Sequence, residues 1–172
     1  YVSNREASSI YRVSGPTSQA CESAAMSPFG NLVAYKQAVG ATIYLRVSNA
    51  DPDPSRQATL DICDLTIDGG NFLETGTNPL RQRLMGKDRP SWDMRVNGPE
   101  QNTLYFTRYD GPGLTTHIYQ SQITLDGLGR PVAHTPVVLS PITAQAIAPF
   151  SFSRVNSAWV PEHYLFYTDT SS

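Results

Sequence analysis

Ser27-Pro28-Phe29-Gly30-Asn31-Leu32-Val33-Ala34-Tyr35 is the stretch on which the fold turns. Its first half holds Ser, Pro, Gly and Asn, each of which favours a tight turn for its own backbone or side-chain reason. Its second half is an apolar run with β-branched and aromatic members, suited to a buried strand. The pattern returns twice. Ser91-Trp92-Asp93 leads, across a longer connection, into Thr103-Leu104-Tyr105-Phe106. Ser151-Phe152-Ser153-Arg154 leads, across residues 156–163, into Tyr164-Leu165-Phe166-Tyr167. The aromatic ends Tyr35, Phe106 and Tyr167 stand 71 and 61 residues apart. Spacing of this kind points to a repeated supersecondary unit rather than a single irregular sheet.

Outward from these stretches, the first two units share a further strand that ends in an Asp-Gly turn signal: residues 60–69, closing on Asp68-Gly69-Gly70, and residues 117–127, closing on Asp126-Gly127. A last strand follows each, at 71–74 and at 130–133. The unit reads strand, turn, strand, turn, strand, Asp-Gly turn, strand. That is a four-stranded antiparallel meander, the blade of a β-propeller. In the first unit residues 40–57 read as an insert between the second and third strands, holding a β-run at 42–47 and the loop Asp51-Pro52-Asp53-Pro54. The one helical signal is residues 80–85, with Pro79 before it and Gly86 after. The fold class is all-β.

Composition excludes several function classes. The 172 residues carry a net charge of −2, so no basic field points to nucleic acid. Charged residues are 16%, below the usual ~25%. No apolar run is long enough for a transmembrane helix. The opening residues lack the basic-then-apolar pattern of a signal peptide. The two cysteines, Cys21 and Cys63, match no zinc or haem spacing, and whether they form a bridge is open.

These motifs resemble the TolB-like, WD-repeat-related β-propellers of bacteria. Residues 27–35 follow the family's Trp-Ser-Pro-Asp-Gly turn and second strand, with Phe29 where the family has Asp. Pro90-Ser91-Trp92 and Leu104-Tyr105-Phe106-Thr107 follow it in the next blade, with a longer connection in place of Pro-Asp-Gly. Ile118-Tyr119 and Asp126-Gly127, like Asp64-Leu65 and Asp68-Gly69-Gly70, follow the second half of the blade. The resemblance implies a partial propeller: a half blade at 1–20, a blade at 21–78 with the insert 40–57, a blade at 79–140 and a half blade at 141–172. On this reading both ends of the chain lie inside blades, and the rest of the ring comes from elsewhere in a longer protein or from another chain.

Candidate chemistry is sparse. His117, His134 and His163 are far apart, with no metal partner at ligand spacing. The acids from Asp51 to Asp68 lack the regular oxygen spacing of a calcium loop. No nucleophile elbow, phosphate loop or dinucleotide fingerprint occurs. The sequence therefore assigns no catalytic residue, metal or cofactor, and leans to a non-catalytic scaffold. Such a scaffold would hold a protein partner, or the remainder of the propeller, in a periplasmic or extracellular complex. Its contact residues would be Trp159, placed in a turn, with Asp51, Asp53 and Tyr44 of the insert. The alternative is a carbohydrate-active propeller enzyme with an oligosaccharide ligand. It would use Asp93 and Glu22 as acids at the channel mouth, because glycoside hydrolysis needs a pair of carboxyl groups.

Overall fold

The computed structural model describes residues 2–3, 10–14, 21–40, 42–64, 90–93, 101–109, 116–139, 151–152 and 165–166. Among them there is no α-helix. Strands β1 (Val2–Ser3) and β2 (Ile10–Tyr11) form a short antiparallel pair. Strands β3 (Cys21–Met26), β4 (Leu32–Val39), β5 (Thr42–Asn49) and β6 (Thr59–Asp64) form one four-stranded sheet. A second such sheet follows from β7 (Ser91–Trp92), β8 (Thr103–Tyr109), β9 (Thr116–Leu125) and β10 (Pro131–Val138). Strands β11 (Ser151–Phe152) and β12 (Leu165–Phe166) pair antiparallel. In both large sheets each strand pairs with its neighbour in sequence, antiparallel throughout. A four-stranded antiparallel meander is present twice.

One expectation is corrected. The run at 42–47 is not part of an insert: it belongs to β5, which is bonded to β4 on one side and β6 on the other. Gly40 opens a two-residue hairpin between the register partners Val39 and Thr42, with φ of +62°. A two-residue hairpin twists correctly only with positive φ at its first position, which glycine takes without steric cost. Of the expected insert, only residues 50–58 form a loop. The proposed last strand at 71–74, the turn at 68–70 and the helical signal at 80–85 lie outside the described residues.

The two sheets share one core. Leu32, Ala34, Leu45, Val47 and Ile62 of the first pack with Trp92, Leu104, Phe106 and Ile123 of the second. The leucine, valine, isoleucine and phenylalanine side chains among them each contribute roughly 1.5–3 kcal/mol when removed from water. The Trp92 indole N–H donates to the Ala25 carbonyl at 2.9 Å, which ties β7 to β3. At the other side of the stack β10 lies against β5 and β6. The sheets are thus stacked in the same strand order, first strand beside first and last beside last.

The central strands are covered on both faces. Residues 32–37 of β4 are all buried, although alternate side chains point to opposite faces. Val33 and Tyr35, on the face away from the second sheet, pack with Val13 of the segment following β2. On β8 the far-face residues Thr103 and Tyr105 are buried along with Leu104 and Phe106. An isolated two-layer sandwich leaves the outer face of each sheet to solvent, so this burial requires further layers.

The two cysteines sit at opposite edges of the first sheet, Cys21 on β3 and Cys63 on β6. Three strand spacings of about 4.8 Å separate their backbones by about 14 Å. A disulfide spans at most about 7 Å between Cα atoms. The bridge left open by the sequence does not form within this sheet.

Candidate functional site

The turn that opened the sequence reading is built from its own side chains. Gly30 N–H donates to Ser27 O at 2.9 Å, and Gly30 has φ of +69°. Ser27 Oγ accepts from Leu32 N–H at 3.0 Å and donates to Asn31 Oδ1 at 2.9 Å. The turn between β9 and β10 repeats this design. Gly129 N–H donates to Asp126 O at 3.0 Å, with φ of +74° at Gly129. Asp126 Oδ1 accepts from the N–H groups of Leu128 and Arg130, both at 2.9 Å. Its Oδ2 pairs with the Arg130 guanidinium at 2.7 Å. Hydrogen bonds from the Arg130 backbone and side chain hold the Asp126 carboxyl below the usual carboxylate range. The glycine that needs positive φ is Gly129 rather than Gly127 of the Asp-Gly signal. The loop is therefore a three-residue hairpin closed by a left-handed glycine.

Both turns place an apolar residue at the third position, and both leave it in solvent: Phe29 is 47% and Leu128 64% exposed. They lie at corresponding ends of their sheets. Ala25 and Trp92, bonded to one another, each precede the connection at that end by no more than two residues. In a meander the first and third connections share one end, so 27–31, 50–58, 101–102 and 126–130 gather there. Sequence reading passed over Phe29 and Leu128 as contacts. The signal was present as Ser or Asp followed three residues later by Gly, with an apolar residue just before that Gly.

Loop 50–58 stands beside the first of these turns, with Ala50 N–H donating to Asn31 O at 2.7 Å. Asn49 closes it: Oδ1 accepts from Ala58 N–H at 2.7 Å and Nδ2 donates to Arg56 O at 2.9 Å. Asp51 Oδ1 accepts from Asp53 N–H at 2.8 Å. Asp53 Oδ1 accepts from Ser55 N–H at 2.9 Å and from Ser55 Oγ at 2.7 Å, capping the short 3-10 helix Pro54–Arg56. The Ser55 side-chain hydrogen bond is the main reason the Asp53 carboxyl is held below its ordinary range. Gln57 Nε2 reaches Asp51 O at 2.8 Å and Arg12 O at 2.7 Å. Asp51 and Asp53 thus shape an ordered, exposed loop.

The other sequence-derived candidates do not join this site. Tyr44 lies toward the opposite end of β5, across from Gln37 and Asp64. The Arg46 guanidinium sits 5.1 Å from its ring centroid. Arg46 also bonds Asp61 at 2.7 Å and Gln37 Oε1 at 2.7 Å. Asp93 is 1% exposed. Its Oδ2 accepts from the Tyr105 hydroxyl at 3.1 Å and its N–H donates to Thr103 O at 2.8 Å. Glu22 occupies β3 directly across from Lys36, which is 2% exposed. Trp159 and His163 lie outside the described residues. His117 stands on β9 across from Arg108. His134 Nδ1 lies 3.1 Å from Ser121 Oγ, and partial burial pulls its pKa down. Among the described residues no cluster of three His, Cys, Asp or Glu side chains could hold a metal. None of the helices there is long and apolar enough to cross a membrane. No protein-family description, no curated protein and no solved structure matches this chain.

Proposed function

We propose that this chain is a non-catalytic binding module built from propeller-type blades, recognising a protein partner through the end that carries 27–31, 50–58 and 126–130. The observation that carries the reading is the stacking of two consecutive meanders in the same strand order, with β4 and β8 each buried on both faces. Stacking of this kind supports blades set around an axis, whose connections project as rigid loops. Phe29 and Leu128 offer apolar contacts there, and loop 50–58 adds a polar rim beside Phe29. Protein contact patches combine such apolar centres with polar borders. The resemblance to TolB-like propellers supports a periplasmic or extracellular setting for the complex. Asp93, held by Tyr105 and closed off from solvent, does not favour the carbohydrate-active alternative, since a catalytic carboxyl must reach its substrate.

A photoreactive phenylalanine analogue placed at position 29 or 128 tests the reading in cells that produce the protein. Discrete cross-linked adducts are expected from both positions and none from position 40, at the opposite end of the first sheet. Adducts from position 40 alone, or from none of the three, would overturn it.

A further inference from the structure

We infer that Pro136 keeps the open edge of β10 from pairing with β10 of a second copy of this chain. Strand β10 is the outermost strand of its sheet, paired only with β9 among the described residues. Val132, Val137, Val138 and Leu139 along it are exposed. A long apolar edge strand is a template for strand addition unless something blunts it. The hydrogen-bond phase shows what does. Leu139 N–H donates inward to Ile118 O at 2.9 Å. Backbone polar groups alternate sides along a strand, so residues 135, 137 and 139 point toward β9 while 134, 136 and 138 point to the open edge. The position facing outward at the middle of that edge is a proline, which has no N–H to give.

The geometry selects the partner as well. Two β10 strands meeting antiparallel about a two-fold centred on residue 136 would bring 134 opposite 138 and 136 opposite itself. Both N–H···O bonds at the centre of that pairing are then missing. Because the nitrogen of Pro136 faces away from β9, replacing the proline leaves the β9–β10 ladder as it is. The substitution restores two donors to the dimer and none to the monomer.

Sedimentation of the full chain as Pro136→Thr tests this. At matched concentration its weight-average mass is expected to rise toward about twofold that of the wild type, with an unchanged far-ultraviolet spectrum. Thr135→Val separates the mechanism from added stickiness. It makes the same strand more apolar, but its N–H points to β9, so its mass should stay at the wild-type value. Pro136→Val serves as a second donor-restoring variant and should behave as Pro136→Thr does. Wild-type mass in folded Pro136→Thr and Pro136→Val would overturn the inference. An equal rise in Thr135→Val would also overturn it.

Discussion

Trp92→Ala should lower the free energy of unfolding by about 3–5 kcal/mol, the range for removing a large aromatic side chain from a core. Trp92 fills the space between the sheets beside Leu104 and carries the hydrogen bond to Ala25 O. Alanine leaves a cavity that two stiff sheets cannot collapse around, and it leaves a half-buried carbonyl without its donor. Trp92→Phe keeps most of the apolar contact and loses the bond, so it should cost less, about 1–3 kcal/mol. Denaturant titration followed by far-ultraviolet circular dichroism reads both. Domains of this size have about 5–15 kcal/mol in hand, so Trp92→Ala takes a large share of the total. If it cost less than Trp92→Phe, the indole would not be spanning the two sheets.

Leu45→Ala should cost about 2–5 kcal/mol, and the loss should be visible from the other sheet. Leu45 lies at the centre of β5, fully buried in the shared core. Trp92 belongs to the second sheet but reports on the same core. In a Trp159→Phe background its fluorescence is the single indole signal. Because one core serves both sheets, a single cooperative unfolding transition is the expected result. The midpoint read from Trp92 should move together with the midpoint read by circular dichroism. A Trp92 transition that stays in place while the dichroism signal shifts would mean that the sheets unfold as separate units.

Much of the fold was legible because turn chemistry and strand patterning are local. Residues 27–35 announced a turn followed by a buried strand, and they form one. Ser91-Trp92-Asp93 was read as leading across a longer connection into 103–106, and Trp92 pairs with Leu104 at the start of that strand. The misreading at 40–57 arose from competing signals. Asp68-Gly69-Gly70 looked like the hairpin that ends a third strand, which left no place in the sheet for 42–47. The weaker signal, a lone Gly40 between two apolar runs, marks a hairpin that joins β4 to β5. A glycine in left-handed conformation looks the same in sequence as a glycine in a loop.

The site was less legible because it depends on contacts between distant residues. Nothing near Asp93 in the chain shows that the Tyr105 hydroxyl will cap it and that it will be buried. Nothing near Asp51 shows that its carboxylate will be used by the loop itself. The exposure of Phe29 and Leu128 follows from their position in a turn shape, which became visible once Gly30 and Gly129 were seen to share one conformation. The double burial of β4 could not be read locally either, since six consecutive buried residues include Lys36 and Gln37. Tertiary covering, not residue type, put them inside.

The account rests on the two meanders stacking first strand to first strand, and proton NMR tests that most directly. The Trp92 indole N–H resonance should show nuclear Overhauser contacts to Ala25 and its neighbours on β3. Contacts from that proton to Leu60 or Cys63 on β6, with none to β3, would set the first strand of one sheet against the last strand of the other and contradict the stacking.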